Sequence, residues 1–376
     1  MKFHTDLEGV KKALATLGKA AKKISIEPTL IKLEAKDGLL TMSLNGVVGA
    51  KVSLPAEIKE TGMFVTGFAG INILTVRKCS GILKAENADE NTLLLKYNGG
   101  KAKTVLTKNN TVFTDVATEQ ESYPYVELPM ASMKQLTKET LFAADMDLNS
   151  KMHAIKMDIA DDEEGIVKFV ISACNGRVIA RRSAYAAKAG TFTGSVTLLP
   201  EQVKSTMDML SAEGNVRIAF GDGKVFFRQE RTAICFQAIA TPYPNLDTII
   251  DNRDISFTFQ TSKAEFIDVL NSVLYLQGLV GAIDNSVRLH FEDNVMNVSY
   301  TGNTEYTESL NANVKGSLGA DVYFAAELLK EVVGICPNDE IMIGGSHPKA
   351  PFWMTCGDKQ EYLYCILPKL PKTPVA

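Results

Sequence analysis

Two stretches decide how this chain is read: Glu-Ser-Tyr-Pro-Tyr-Val at residues 121–126 and Thr-Pro-Tyr-Pro-Asn-Leu at residues 241–246. Each places a Tyr-Pro pair just ahead of an apolar residue, and the prolines, Pro124 and Pro244, stand a domain's length apart. Proline fixes its own φ and holds the residue before it extended, so each stretch marks a defined passage from one element to the next. A third, weaker copy ends the chain, where Leu367 precedes Pro368. A closing signature at a fixed period points to equivalent units. The expected domains are 1–125, 126–250 and 251–376.

The openings of the three segments agree with this division. Residues 1–20, 126–145 and 255–274 each begin with a short strand-like run, meet a small or polar residue, and continue with apolar side chains three and four apart. Val10, Leu14 and Leu17 form the first stripe, Met133, Leu136, Thr140 and Leu141 the second, and Phe266, Val269, Leu270 and Val273 the third. That period predicts an amphipathic helix of about three to four turns in each. Behind each helix, residues 30–54, 154–184 and 286–312 alternate apolar with polar and are broken by turn residues such as Asp-Gly and Asn-Gly, the pattern of antiparallel strands joined by tight turns. Strand, helix and strands recur inside each segment, from Gly62, Gly194 and Gly319 onward. The expected fold is α+β: three repeated domains, each of two helix-plus-antiparallel-sheet modules. The competing reading is chance likeness among α+β patterns, against which stand the shared order, spacing and closing motif.

The 376 residues are 45% hydrophobic and 22% charged, enough apolar material for several packed cores and too much for a disordered chain. No run approaches the roughly 18 apolar residues of a membrane span, and the N-terminal residues lack the apolar core of a signal peptide, so a cytoplasmic protein is expected. The six cysteines form no Cys-x-x-Cys pair, as expected of reduced thiols. The four histidines, His4, His153, His290 and His347, lack metal-ligand spacing, and neither a nucleophile elbow nor a phosphate loop appears. Gly-Asp-Gly at 221–223 reads as a hairpin turn, since no helix follows it. No enzyme and no cofactor is expected; a catalytic site assembled only in the fold is the remaining enzyme reading. The net charge of −4 argues against a surface that grips nucleic acid everywhere. Yet Lys11, Lys12, Lys19, Lys22 and Lys23 fall within residues 9–23 with no acid among them.

A module with one amphipathic helix and about four strands cannot close a core by itself, so two must pack helix to helix beneath a shared sheet. Repeated head to tail, such domains curve, and association of identical chains can close the curve into a ring. The three-domain order, the opening Met-Lys-Phe, the two Tyr-Pro closures, Leu-Pro-Glu-Gln-Val-Lys-Ser-Thr-Met-Asp-Met-Leu at 199–210 and the ending Tyr-Leu-Tyr-Cys-Ile-Leu-Pro-Lys-Leu at 362–370 together resemble the bacterial sliding clamp family, the beta subunits of the replicative DNA polymerase. The resemblance covers essentially the whole chain. It implies DNA-clamp domains, six of them in a homodimeric ring that encircles double-stranded DNA through sequence-independent contacts. It implies as partners the replicative DNA polymerase, the clamp loader, repair polymerases and other proteins with a clamp-binding motif. The alternative is a repeat-built protein-interaction scaffold that does not bind DNA.

Three sets of site residues follow from the resemblance. DNA binding is carried over to Lys19, Lys22, Lys23, Lys151 and His153; the lysines would also suit a solvated helix face beside the negative end of the helix dipole. A peptide-binding groove between the second and third domains is carried over to Ala154, Ala173, Asn175, Gly176, Arg177, Val178, Pro244, Thr248, Ile249, Leu328, Cys365, Ile366 and Leu367. Most of these are the apolar anchors that such a pocket needs, and any one of them would equally suit a core. Ala-Cys-Asn-Gly-Arg at 173–177 departs from the family's acidic-Gly-His-Arg stretch, with Arg177 the firmest match. The dimer interface is carried over to Val105, Leu106, Leu274 and Tyr275, which are otherwise ordinary core residues. The proline-containing tail predicts an extended segment beside the groove.

Overall fold

The computed structural model describes residues 1–21, 29–44, 48–76, 78–107, 123–163, 166–189, 193–280, 286–302, 304–356 and 361–369. They form two compact units. The first comprises Met1–Gln135, Asp158–Phe169 and Tyr185–Ala240; the second comprises Leu136–Met157, Val170–Ala184 and Thr241–Ala376. The segment expected as the middle domain contributes to both.

Seven helices are described: α1 (Leu7–Ala21), α2 (Phe68–Val76), α3 (Met130–Leu141), α4 (Pro200–Met209), α5 (Leu246–Asp251), α6 (Lys263–Val280) and α7 (Ala326–Ile335). The apolar stripes of α1, α3 and α6 are their buried faces, because side chains three and four apart share one side of a helix. Val10, Leu14 and Leu17 are buried, as are Met133, Leu136 and Thr140, and Phe266, Val269, Leu270 and Val273. Leu141, at the frayed end of α3, is only partly covered. In the first unit α1 packs against α2 and α4, and in the second α6 packs against α7, the pairing that a single-faced module requires. Among the described residues no helix is long and apolar enough to cross a membrane.

One strand, Val48–Glu60, joins the ladders of the first unit. Its residues 48–52 pair with Thr232–Phe236, residues 50–55 with Leu39–Leu44, and residues 56–60 with Lys2–Thr5, all antiparallel. The change of partner falls at Pro55, which has no N–H to leave unpaired; its carbonyl accepts from the Thr5 hydroxyl at 2.7 Å. The preceding hairpin turns at Asp37 and Gly38, with φ of 52° and 75°, the left-handed pair that the Asp-Gly signal predicts.

In the second unit the last strand, Tyr362–Ile366, lies between Val178–Arg182 and Phe352–Cys356 and runs antiparallel to both. All five of its residues are buried, which is why that stretch of sequence is almost wholly apolar.

The two Tyr-Pro stretches are used differently. Tyr123 stacks on Phe226 with ring centroids 5.6 Å apart, and its hydroxyl donates to Asp222 Oδ2 at 2.5 Å. Its ring sits so close to Gly221 that a β-carbon there would lie 2.2 Å away. Tyr243 instead enters the core of the second unit, beside Cys174, Ile179, Leu246 and Trp353. We expect Gly221→Ala to lower the stability of the first unit by about 1–3 kcal/mol in urea unfolding. Much less should be lost in a Tyr123→Ala background, where the colliding ring is gone.

Candidate functional site

The hairpin that follows Cys174 is held by its own sequence. Asn175 Oδ1 accepts from the N–H groups of Arg177 at 3.0 Å and Val178 at 2.9 Å, while Gly176 takes a φ of +77°. This turn leaves Arg177 exposed and aims its carbonyl at the end of the chain, where the Leu367 N–H donates to it at 2.8 Å. Opposite stands α5. Asn245 caps it by accepting from the Thr248 N–H at 3.4 Å. Leu246 and Ile250 are buried beneath it, and Ile249 is left 44% exposed. Arg181 Nη1 reaches Asp247 Oδ1 at 2.5 Å and ties α5 to the strand of Val178.

Between these elements lies an apolar cavity of about 310 Å³, wholly within the second unit. Of the residues expected for a peptide groove, Gly176, Arg177, Val178, Pro244, Ile249, Cys365 and Leu367 line it. Ala154, Ala173, Asn175, Thr248, Leu328 and Ile366 do not, and the reasons are geometric. Side chains alternate along a strand, so Cys365 and Leu363 join the cluster beside the cavity while Ile366 falls on the opposite face. The same alternation puts Cys174 in the lining and buries Ala173. Ala154 is buried, Asn175 spends its side chain on the turn, Thr248 is exposed on α5, and Leu328 lies part-buried on α7. Met152, Cys174, Ile179, Leu246 and Pro351 line the cavity although the sequence reading passed over them; Ile179 stands opposite Cys365 in the ladder, a pairing that no local pattern in the sequence announces.

Apart from Arg177, the residues that line the cavity carry no charge at neutral pH. Burial pushes the Cys365 thiol up to about 12, and burial also raises Cys174 and Tyr243. The Cys174 N–H donates to the Tyr243 hydroxyl at 2.9 Å, and that hydroxyl in turn faces Cys174 Sγ at 3.5 Å. Such walls suit large apolar side chains, with Arg177 as a cation at the mouth. Behind the cavity, on the other face of the last strand, Arg182 is anchored. Its Nε donates to Glu139 Oε2 and its Nη1 to the Glu361 carbonyl, both at 2.5 Å, with the guanidinium 3.3 Å from the centre of the Tyr362 ring. Tyr364 donates to the Glu139 carbonyl at 3.3 Å.

The remaining expected residues are scattered. Lys19 is exposed at the end of α1 and donates to the carbonyl of Asp208 on α4; Lys22 and Lys23 lie outside the described residues. Lys151 is exposed, and His153 is buried with Nδ1 at 2.6 Å from the Asp145 carbonyl, which anchors the loop. Val105 is 65% and Tyr275 67% exposed, so neither is a core residue of its unit; Leu106 and Leu274 are part-buried. Among the described residues no group of three or more His, Cys, Asp or Glu side chains is placed to hold a metal ion.

No family model and no curated protein matches the sequence. Solved structures match along the whole chain. The DNA polymerase sliding clamp of Bacillus subtilis superposes with a TM-score of 0.85 at 14% identity, covering 99% of this chain and 100% of that one. The Caulobacter crescentus beta sliding clamp gives 0.83 at 16%, and the DNA polymerase III beta subunit of Thermotoga maritima 0.78 at 17%, each again covering 99% of this chain and 100% of its own. At these identities the likeness is one of fold: this chain has the α+β fold of the sliding clamps.

Two measurements probe the site's construction. Arg182→Met takes the buried cation from the part-buried Glu139 and should cost about 1–3 kcal/mol in denaturant unfolding. In the native protein at pH 7, iodoacetamide should label the part-exposed Cys79 well before the buried, protonated Cys365, a difference that disappears in urea.

Proposed function

We propose that this chain is a DNA sliding clamp. Two copies, each with clamp domains at 1–125, 126–250 and 251–376, close a ring around double-stranded DNA and confer processivity on the replicative DNA polymerase. The observation that carries this reading is the likeness of fold, which runs from end to end of both this chain and the sliding clamps it resembles. The cavity beside Arg177 and Leu367 is the docking groove, taking short apolar peptide segments from the polymerase, the clamp loader and repair polymerases. Val105 and Leu106 in one copy meet Leu274 and Tyr275 in the other, which accounts for two large apolar side chains left in solvent.

The clamp works without catalysis, in the cytoplasm, where its DNA lies. With a net charge of −4, retention on DNA depends on topology far more than on attraction. Lys19, Lys22, Lys23 and Lys151 supply local phosphate contacts that position the duplex without reading it.

Light scattering over a range of concentrations should give twice the chain mass of 40.9 kDa. The protein, once loaded on a nicked circle, should stay bound through a salt wash and escape when the circle is linearised. A stable monomer, or release that ignores linearisation, would favour the protein-interaction scaffold. Leu367→Asp should weaken binding of an apolar peptide by about tenfold or more, roughly 1.4 kcal/mol, with the native mass unchanged.

A further inference from the structure

Two cysteines that are separate in sequence meet inside the second unit. Cys336 follows α7, where its N–H donates to the Val333 carbonyl at 3.3 Å, and Cys356 ends the strand Phe352–Cys356. Their thiols are hydrogen-bonded to each other. Neither lines the cavity. Cys356 stands opposite Tyr362 in one ladder, and Tyr362 opposite Arg182 in the next. Directly opposed residues share a face of a sheet, so Cys356 lies in the row of Arg182, on the side turned from the cavity.

The two sulfurs are not equivalent. Three neighbours favour the anion at Cys336: the Cys356 thiol donates to its sulfur, the Asn338 N–H donates to it as well, and the Lys263 ammonium stands nearby. Lys263 is fixed there, because its Nζ donates to the Cys336 carbonyl at 2.9 Å and its N–H to the Asp339 carbonyl at 2.8 Å. Against the effect of burial, these contacts hold the Cys336 thiol below the usual range. Cys356 is pushed up, chiefly because its proton is the one that it shares with Cys336. A thiolate is the reactive form of cysteine, and a thiol in contact with it is placed to resolve whatever forms on that sulfur. Burial bears on the substrate: Cys336 is 2% and Cys356 8% exposed, which shuts out a bulky disulfide and leaves a small, uncharged oxidant.

We propose that Cys336 and Cys356 form a reversible oxidation site whose substrate is hydrogen peroxide. The Cys336 thiolate attacks one peroxide oxygen and the O–O bond breaks; the departing hydroxide takes up the proton that the thiol had shed, leaving water and a sulfenic acid on Cys336. The Cys356 sulfur then attacks the Cys336 sulfur and the S–O bond breaks. The second hydroxide leaves as water with the Cys356 proton, and a disulfide remains. Two thiols have lost two electrons, and one peroxide has become two waters. The bridge ties the end of α7 to the strand beside the last one, and an external dithiol reverses it. In a reducing compartment it is therefore transient.

Peptide mapping by mass spectrometry tests it. The folded full chain is treated with hydrogen peroxide at pH 7, quenched with catalase, blocked with N-ethylmaleimide in urea and digested. A pair of peptides joined through Cys336 and Cys356, lighter by two hydrogens than the free pair, should appear before any oxidation of Cys174 or Cys365, whose thiols burial keeps protonated. Dithiothreitol should remove it. In Cys356→Ser the reaction should stop at the sulfenic acid, which dimedone traps on Cys336; in Cys336→Ser dimedone should label Cys356 about tenfold less, since its thiol stays protonated. Thermal midpoints check that both variants fold, and if either does not, the parent chain alone decides. Oxidation of Cys79 while Cys336 and Cys356 stay unlinked overturns the proposal, as does a link that forms only in urea. Equal dimedone labelling of the two variants overturns the assignment of Cys336 as the attacking sulfur.

Discussion

The second unit depends on the antiparallel pairing of its last strand. Tyr362–Ile366 fills the gap between Val178–Arg182 and Phe352–Cys356, and both of its faces are occupied. On one, Leu363 and Cys365 meet Ile179 and Trp353 and back the cavity. On the other, Tyr362 lies under the Arg182 guanidinium and Tyr364 stacks on Phe142. The Arg177 turn, the exit of Leu367 and the position of α5 are all referenced to this ladder. The cavity is therefore a product of strand register: moving the last strand by one residue would exchange its two faces, placing tyrosines against the cavity and cysteine against the buried ion pair.

The division of labour between the faces has a physical logic. Ionic and hydrogen-bonding groups are concentrated behind the strand, where Arg182, Glu139 and the Glu361 carbonyl satisfy one another. The cavity side carries thiols and a phenol that burial keeps neutral. Apolar walls leave no charge to desolvate, and the cation beside them, Arg177, stands exposed at the mouth.

Much of the fold was legible because its signals are local. The stripes of α1, α3 and α6 are their buried faces, and Asp37-Gly38 makes the turn it predicts. Of the residues expected together, Arg177, Pro244 and Leu367 do line one cavity, and they belong to turns and chain ends whose backbone is fixed nearby. The cavity lining was not legible where it depended on which side of a strand a residue faces, as for Ala173 against Cys174 and for Ile366. Parity along a strand is set by partners far away in sequence. The burial of His153 was illegible for a related reason: it comes from a loop that closes on itself through Asp145 and Ser150, and no periodicity announces that.

The strand Val48–Glu60 has a further consequence, one that concerns how the protein is made. Its first residues pair with Thr232–Phe236, so a ribosome must translate about 180 more residues before that ladder can form. At about 5–20 residues per second the waiting time is on the order of 10 seconds or more. During that interval part of the strand presents an unpaired edge, and the lysine at position 51 sits within it. A charged side chain on a waiting edge discourages pairing with the wrong strand. The sequence thus guards its nascent form as well as its finished one.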